Sequence, residues 1–352
     1  MVMPNAIFRI VALSALALTT LFLFYTPAYG QTYSVNGALI EVSLLPDKPV
    51  IMLGEPIHLS FIVRNLSETN LEFGEGGDYR NRLGRPESYD VRAVRSDGKP
   101  VSKPEILLSM GGLLGIVKVP AGGAATRHLF LPHWAPFEET GIYTITCKRT
   151  LGFGGISVPV ETSVQIEVVK SDHEKMGEII EKLGAEMLGG DKERARLASQ
   201  SLDYINDERV VPYLVKAVDP GDYSLTMSSL RALIKYNTDS AIEGIKRGMR
   251  VSHEEMREAG NESTAISLAE RIRSEAANAL SESKHPEAIP LLLSMRKDSY
   301  ASIRLKVVQT LGVLLGVLRT PEAITILQEM SKDENEDVSR EANRYLSSKE
   351  KN

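Results

Sequence analysis

The chain has 352 residues, of which 43% are hydrophobic and 25% are charged, a composition typical of a folded globular protein and a length sufficient for two domains. Its 41 basic and 46 acidic residues give a net charge of −5, which argues against nucleic acid as a partner. The single cysteine, Cys147, excludes an internal disulfide and a cysteine-rich zinc site.

Residues 1–30 predict a secretory signal peptide. Arg9 precedes an apolar run from Ile10 to Phe24, and the small-residue site Ala28-Tyr29-Gly30 follows it. The apolar run, about 15 residues long, is shorter than the ~20 residues that a membrane-spanning helix needs, so cleavage before Gln31 is favoured over a retained anchor. We therefore expect an exported protein, periplasmic or secreted, with no stable membrane insertion after cleavage.

Residues 31–170 predict an all-β domain. Short apolar or alternating runs are separated by glycines and prolines, which is typical of a β-sandwich. Between Ile57 and Val63 every second side chain is a large apolar one on the same strand face, which belongs in the core. Ser96-Asp97-Gly98-Lys99 predicts a hairpin turn, because Gly98 can adopt a positive φ. The predicted strands are Ile40–Leu45, Ile57–Asn65, Asn70–Phe73, Tyr89–Arg95, Arg127–His133, Gly141–Arg149 and Ser163–Val169.

Three motifs in this region, Leu53-Gly54-Glu55-Pro56, Val63-Arg64-Asn65 and Gly141-Ile142-Tyr143, resemble bacterial immunoglobulin-like domains. The resemblance covers residues 31–170 and implies a two-sheet sandwich with Tyr143 at a tyrosine-corner position. A weaker similarity is to the bacterial intracellular proteinase inhibitor family. The predicted export argues against carrying that activity over to this chain. Inhibition of an envelope protease, which would require a protruding loop such as Arg80 to Glu87, is a separate alternative function.

From Ser171 onward the sequence changes to helical periodicity with an internal repeat. Residues 206–214, 237–245, 285–292 and 320–327 overlay one another, each with a polar turn followed by an apolar helix. The equivalent positions 212, 243, 290 and 325 are 31, 47 and 35 residues apart. Another amphipathic helix precedes each piece. In one of them a single face is predicted to carry Ile303, Val307, Val308, Leu311, Leu314 and Leu315. The repeating unit is therefore a helix pair, and we expect about five pairs.

The pairs Ile272-Arg273 and Ile303-Arg304, together with the helix that begins Ala288-Ile289-Pro290, resemble the short bacterial HEAT repeats first recognised in phycobilin lyase subunits. Val338-Ser339-Arg340 and Arg194-Ala195-Arg196 are looser copies, and residues 227–230 lack the arginine. The resemblance covers roughly half the chain and implies an α-solenoid that binds protein partners. The expected fold is therefore multidomain, with an all-β immunoglobulin-like sandwich at 31–170 followed by an all-α HEAT-like solenoid at 171–352.

The sequence contains no pattern that predicts catalysis or a cofactor. A Gly-x-Ser-x-Gly nucleophile turn is absent, and the six histidines are spread along the chain, with only His128 and His133 close together. We therefore expect a protein that is not an enzyme and has no catalytic, cofactor or metal residues. A hydrolase with a site between the two modules is the alternative, and a bilin lyase is implied only by the family name.

Two segments of the all-β region could bind a partner. Five arginines between positions 80 and 95 could hold a carboxylate or sulfate, although Asp78, Glu87 and Asp90 make internal ion pairing the preferred interpretation. The apolar stretch Ile106–Val117 could be an exposed patch, and a buried strand pair is preferred. The candidate partner-binding residues in this region are Arg80, Arg82 and Arg85.

A third candidate lies in the solenoid, where the 47-residue spacing holds the extra segment Val251–Thr264. This segment is acidic, compatible with a helix and poor in apolar residues, and it reads either as a solvated extension or as a recognition element. Its candidate partner-binding residues are Glu254, Glu255 and Glu258. The solenoid has 26 basic and 31 acidic residues against 14 and 15 in the sandwich, so a basic protein partner is favoured. The predicted function is an exported, non-catalytic scaffold that binds a protein through the solenoid surface.

Overall fold

The computed structural model describes residues 30–35, 37–77, 89–104, 113–318 and 321–347. Of the predicted signal peptide only Gly30 falls within these ranges, and Arg80, Arg82 and Arg85 lie outside them. The chain divides into two compact units, with the division between Met176 and Gly177. The first unit contains the strands and the second contains nearly all of the helical residues.

The first unit consists of two β-sheets. One sheet has the strand order β1-β2-β4-β8, and the other has the order β3-β10-β9-β5-β7 with β6 also paired to β9. All the pairings are antiparallel except that of β3 with β10. The strands are β1 (Gln31–Val35), β2 (Ala38–Pro46), β3 (Val50–Met52), β4 (His58–Asn65), β5 (Leu71–Gly77), β6 (Asp90–Arg95), β7 (Leu113–Val119), β8 (Ala124–Phe130), β9 (Gly141–Phe153) and β10 (Ile156–Val169).

The two sheets share one hydrophobic core, to which both contribute alternate residues. The apolar face predicted between Ile57 and Val63 is confirmed, because its four alternate side chains are each at most 2% exposed. Trp134 and the single cysteine, Cys147, are also buried in this core. Burial raises the pKa of the Cys147 thiol to about 12, so this thiol stays protonated and unreactive at neutral pH.

Each of the seven predicted strands overlaps an observed strand, but one ends earlier than predicted. The predicted strand Arg127–His133 ends as β8 at Phe130, and the chain continues as a 3-10 helix at Leu131–His133. Pro132 has no amide hydrogen to donate to a sheet, and the Leu131 amide donates instead to the carbonyl of Ile57 at 3.0 Å. The extension of this strand to His133 was therefore wrong.

Two strands, β1 and β3, were not predicted, and a third, β7, was predicted only as part of a buried strand pair. Strand β7 belongs to the apolar stretch Ile106–Val117, of which residues 106–112 lie outside the described ranges. It pairs with β5, and its outward-facing Ile116 is 69% exposed. The described end of this stretch is therefore a strand with one exposed face rather than a fully buried segment.

One resemblance motif, Leu53-Gly54-Glu55-Pro56, and the predicted hairpin at Ser96–Lys99 both form turns that contain a glycine with a positive φ. Gly54 has a φ of 81°, and Glu55 folds back so that its buried carboxylate accepts the Met52 amide at 2.8 Å and pairs with Lys48. The predicted hairpin turn at Ser96–Lys99 is confirmed, with Gly98 at a φ of 88° and the Arg95 amide donating to the carbonyl of Lys99 at 2.8 Å. These residues are accounted for by local backbone geometry.

The second unit is a series of helix pairs. In one row, α2, α4, α7, α9 and α11 each contact the next, and helices α3, α5, α8 and α10 pack against this row. Pro212 and Pro290 lie in the first turns of α3 and α8, where a missing amide hydrogen is tolerated. The helices are α1 (His173–Leu188), α2 (Lys192–Tyr204), α3 (Val211–Ala217), α4 (Tyr223–Leu233), α5 (Asp239–Arg250), α6 (His253–Glu258), α7 (Ala265–Glu282), α8 (Ala288–Ser294), α9 (Ala301–Leu318), α10 (Pro321–Met330) and α11 (Glu336–Ser347).

Candidate functional site

The extra segment Val251–Thr264 contains the short helix α6 and a turn. Ser252 accepts the amide of Glu255 at 3.2 Å, and the Glu255 carboxylate accepts the amide of Ser252 at 2.8 Å, which together form a capping box. Val251 and Met256 are buried and anchor the segment. The capping box and these few buried apolar side chains therefore hold the segment in place.

The candidate glutamates of α6 are all exposed, but they differ in their contacts. Glu254 lies 2.6 Å from the His253 ring nitrogen, and its own backbone amide and this ring lower the pKa of its carboxyl. The Glu255 carboxylate forms part of the capping box, so its role is structural. Glu254 and Glu258 are thus the members of the set whose charges can be reversed without disrupting the cap.

We expect Ser252→Ala to destabilise the helical unit by about 1 kcal/mol, because the substitution removes the side-chain acceptor of an N-cap. Urea unfolding followed by circular dichroism would measure the change. Ser263→Ala, at an exposed position later in the same segment, is the matched control and should leave the transition unchanged. Equal stability of the two variants would show that the capping box does not hold α6.

Arg92 and Arg95, at the end of the arginine-rich segment, form internal ion pairs. Arg92 and Lys103 each lie 2.7 Å from the Asp90 carboxylate. Arg95 binds Asp97 at 2.6 Å and also pairs with Glu139. The preferred interpretation of internal pairing is therefore confirmed for these two arginines, whereas Arg80, Arg82 and Arg85 lie outside the described residues.

The Arg95 guanidinium lowers the pKa of the Asp97 carboxyl from 3.8 to about 2. In Arg95→Gln we expect this pKa to return to its ordinary range, because the carboxylate loses its charged hydrogen-bond donor. A pH titration of the side-chain carboxyl carbons by NMR would measure it. Arg64→Gln, on β4, is the control, and a pKa of Asp97 that is the same in both variants would contradict the assignment.

The hydrophobe–arginine pairs tie neighbouring repeats together. Ile303 is fully buried, and the Arg304 guanidinium donates to both carboxylate oxygens of Asp333 at 2.8 Å. The Arg273 guanidinium pairs with one carboxylate oxygen of Asp298 and lies over the Tyr300 ring at 5.4 Å. Both aspartates precede the next helix of the row, so each arginine fixes the position of the following repeat.

The same aspartates also organise the turns. Asp298 accepts the amide of Tyr300 at 3.0 Å, and Asp333 accepts the amide of Asn335 at 2.9 Å. The repeat that contains α4 lacks the arginine. There Thr226 helps to hold the preceding turn, because its hydroxyl donates to the carbonyl of Asp219 at 2.6 Å. The two arginines differ in their place on the helix, because Arg273 is the ninth residue of α7 whereas Arg304 is the fourth residue of α9.

A groove lies between the carboxyl ends of α5 and α8. Its volume is about 360 Å³, and Met249, Leu291 and Met295 form its apolar part. A second groove of about 590 Å³ continues from it towards α10 and shares Lys297 and Asp298 with it. The polar residues around the first groove are Lys246, Arg250, Arg273, Ser294, Lys297 and Asp298.

The sequence prediction missed both grooves, although a repeated signal marks them. Met249, Met295 and Met330 lie at or next to the carboxyl ends of corresponding helices in three successive repeats, and each lines a groove. Arg250 follows the first of these methionines and Arg296 follows the second. Basic residues at the carboxyl ends of helices also interact favourably with the helix dipole. The methionine–arginine pattern alone therefore did not indicate a binding site.

Other features give no second site. Among the described helices, none has both the length and the apolar character that a membrane span requires. Within the described ranges, no three histidine, cysteine or carboxylate side chains are grouped as metal ligands. His128 lies 3.3 Å from the Ser60 hydroxyl, and His133 packs edge-on against the Phe130 ring at 4.8 Å. These two histidines therefore have separate surroundings.

Comparison with solved structures gives only weak likenesses. The C-terminal domain of wzt is 12% identical, with 42% of this chain and 83% of that chain covered and a TM-score of 0.25. The CARDB domain of the PF1109 protein from Pyrococcus furiosus is 11% identical, with 42% and 97% covered and a TM-score of 0.21. Alpha-2-macroglobulin of Escherichia coli, activated by porcine elastase, is 14% identical, with 84% and 34% covered and a TM-score of 0.22. Scores this low establish no common fold.

Comparison by sequence is informative for the end of the chain. No curated protein matches the chain. Residues 267–347 match the family model described as HEAT repeats. This range runs from the first turn of α7 to the end of α11. It includes the Arg273–Asp298 and Arg304–Asp333 pairs and most of the residues that line the two grooves. The last five helices of the second unit therefore match the sequence pattern of HEAT repeats.

Proposed function

We propose that the protein is an exported, non-catalytic scaffold that binds a protein partner through the exposed surface of its helical repeats. The observation that carries the proposal is the HEAT-repeat match at residues 267–347, because stacked helix pairs leave helix faces and the grooves between them available for contacts. The grooves at the ends of α5, α8 and α10 supply such a surface. HEAT repeats in general mediate protein interactions.

Two finer points of fold belong to this proposal. The helix pairs before residue 267 continue the same solenoid, since α2, α4 and α7 form one row with the HEAT helices. The first unit is an immunoglobulin-like sandwich, supported by its two sheets around one core and by the Tyr143 hydroxyl, which donates to the carbonyl of Glu139 at 2.8 Å.

Export is the part of the proposal that rests on sequence alone. The pattern in residues 1–30 supports removal of a signal peptide, and the first residue of the mature chain, Gln31, would then be the first residue of β1. Amino-terminal sequencing of the protein recovered from the cell envelope would begin at Gln31. Recovery from the cytoplasm with residues 1–30 intact would refute export.

Site-specific photo-crosslinking in the native host tests the binding surface. A benzoylphenylalanine residue would replace Ser294 or Val313, which are exposed on the repeats, or Leu39 or Ile116, which are exposed on the sheets. Irradiation should give protein adducts from the repeat positions. Adducts from the sheet positions alone would overturn the proposal and would favour the alternative of an envelope protease inhibitor.

A further inference from the structure

The groove between α5 and α8 combines an apolar floor with a cationic rim. Two methionines, Met249 and Met295, and Leu291 line it. Methionine side chains are flexible and polarisable, and they accommodate apolar groups of different shapes at binding surfaces. One apolar side chain of a partner would therefore fit between the two helices.

The polar lining of the groove is mainly basic. Four cations and one carboxylate line it, and the Arg273 charge is neutralised by that carboxylate, Asp298. Lys246 is held by Glu243 at 2.6 Å and Glu287 at 3.1 Å. The remaining two cations are Arg250 and Lys297.

Arg250 and Lys297 have the weakest internal compensation. Arg250 is exposed at the end of α5, and within the described part of the chain no carboxylate pairs with it. Lys297 is 74% exposed and lies 3.6 Å from Glu329, a carboxylate that Arg296 shares at 3.7 Å. An incoming carboxylate at either position would gain a charge-assisted hydrogen bond with little loss of existing pairing.

We infer that the α5–α8 groove binds an acidic segment of a protein partner. One apolar side chain of the segment contacts Met249, Leu291 and Met295, and flanking carboxylates bind Arg250 and Lys297. The inference rests on the proposed scaffold function and specifies the chemistry of its partner. It differs from the basic partner that the net charge favoured, because the charges lining a site matter more for recognition than the total charge of the chain.

A labelled peptide tests this assignment on the full-length mature chain. The probe is a fluorescent heptapeptide, Gly-Asp-Asp-Leu-Asp-Asp-Gly, and its two comparison peptides replace the leucine with serine or all the aspartates with lysine. Fluorescence anisotropy should show saturable binding of the acidic leucine peptide, weaker binding of the serine peptide and none of the lysine peptide. Binding should weaken as salt rises, because exposed charges are screened.

Charge reversal at the rim gives the decisive comparison. Arg250→Glu should weaken binding of the acidic peptide by about tenfold or more, because an attractive contact becomes a repulsive one. Arg271→Glu, an equal charge change at an exposed residue of α7 outside the groove lining, should leave the affinity unchanged. Melting curves of both variants would confirm that each is folded.

The outcomes separate this inference from the scaffold proposal. Equal affinities for the two variants, equal binding of the lysine peptide, or no saturable binding at millimolar peptide would each overturn the acidic-segment inference. If one of these results were found but Ser294 or Val313 gave protein adducts in the crosslinking experiment, the scaffold proposal would still be supported. If neither repeat position gave protein adducts, both the scaffold proposal and the acidic-segment inference would be refuted.

Discussion

Replacing Arg304 with alanine is expected to destabilise the helical unit by roughly 3 to 5 kcal/mol, because it leaves a nearly buried carboxylate without its counter-charge. The Arg304 and Asp333 side chains are only 8% and 10% exposed, and two hydrogen bonds of 2.8 Å join them. Urea unfolding followed by far-ultraviolet circular dichroism would measure the loss. Arg340→Ala, which breaks an exposed pair with Asp337 on α11, is the control and should have little effect.

This pair also makes the stability depend on pH in a defined direction. Hydrogen bonds from Arg304 lower the pKa of the Asp333 carboxyl in the folded chain. A lowered folded pKa means that the stabilisation is present above the ordinary aspartate pKa and is lost as the pH falls through the folded value. The Arg304→Ala variant should therefore lose less stability on acidification than the parent. If Arg304→Ala lowered the free energy of unfolding by less than about 1 kcal/mol at neutral pH, the stabilising role of the Arg304–Asp333 pair would be contradicted.

Leu311→Ala is expected to destabilise the same unit by roughly 2 to 5 kcal/mol, because it removes a buried side chain and leaves a cavity between packed helices. Leu311 is 2% exposed on α9, a helix that contacts both α7 and α11. Val313→Ala, on the same helix and 66% exposed, is the matched control. Equal unfolding midpoints for the two variants would place Leu311 outside the core and would invalidate the repeat alignment in this region.

Periodicity was sufficient to predict which faces are buried. Alternation between Ile57 and Val63 identified the buried face of β4, and the helical spacing of Ile303, Val307 and Leu311 identified the buried face of α9. Both signals depend only on local geometry. They therefore identified the strand-rich and helical parts of the chain and the positions of the main cores.

The parts that were missed depend on contacts between distant residues. The arginines at positions 273 and 304 stood out in the sequence, but their partners lie 25 and 29 residues further along, at no spacing that a single helix would indicate. The burial of Met256 in the acidic insertion likewise depends on its neighbours. The groove requires the ends of α5 and α8 to lie side by side, and only the recurrence of Met249, Met295 and Met330 hinted at it.

Hydrogen exchange would test most directly the claim that the helical repeats form the binding surface. Exchange would be measured by mass spectrometry on the full mature chain, alone and bound to the protein recovered by crosslinking. The account predicts slower exchange on binding at the end of α5 and from α8 to the 3-10 helix at Met295–Lys297, with β1 to β10 unchanged. Slower exchange confined to the strands, with the helices unchanged, would contradict it.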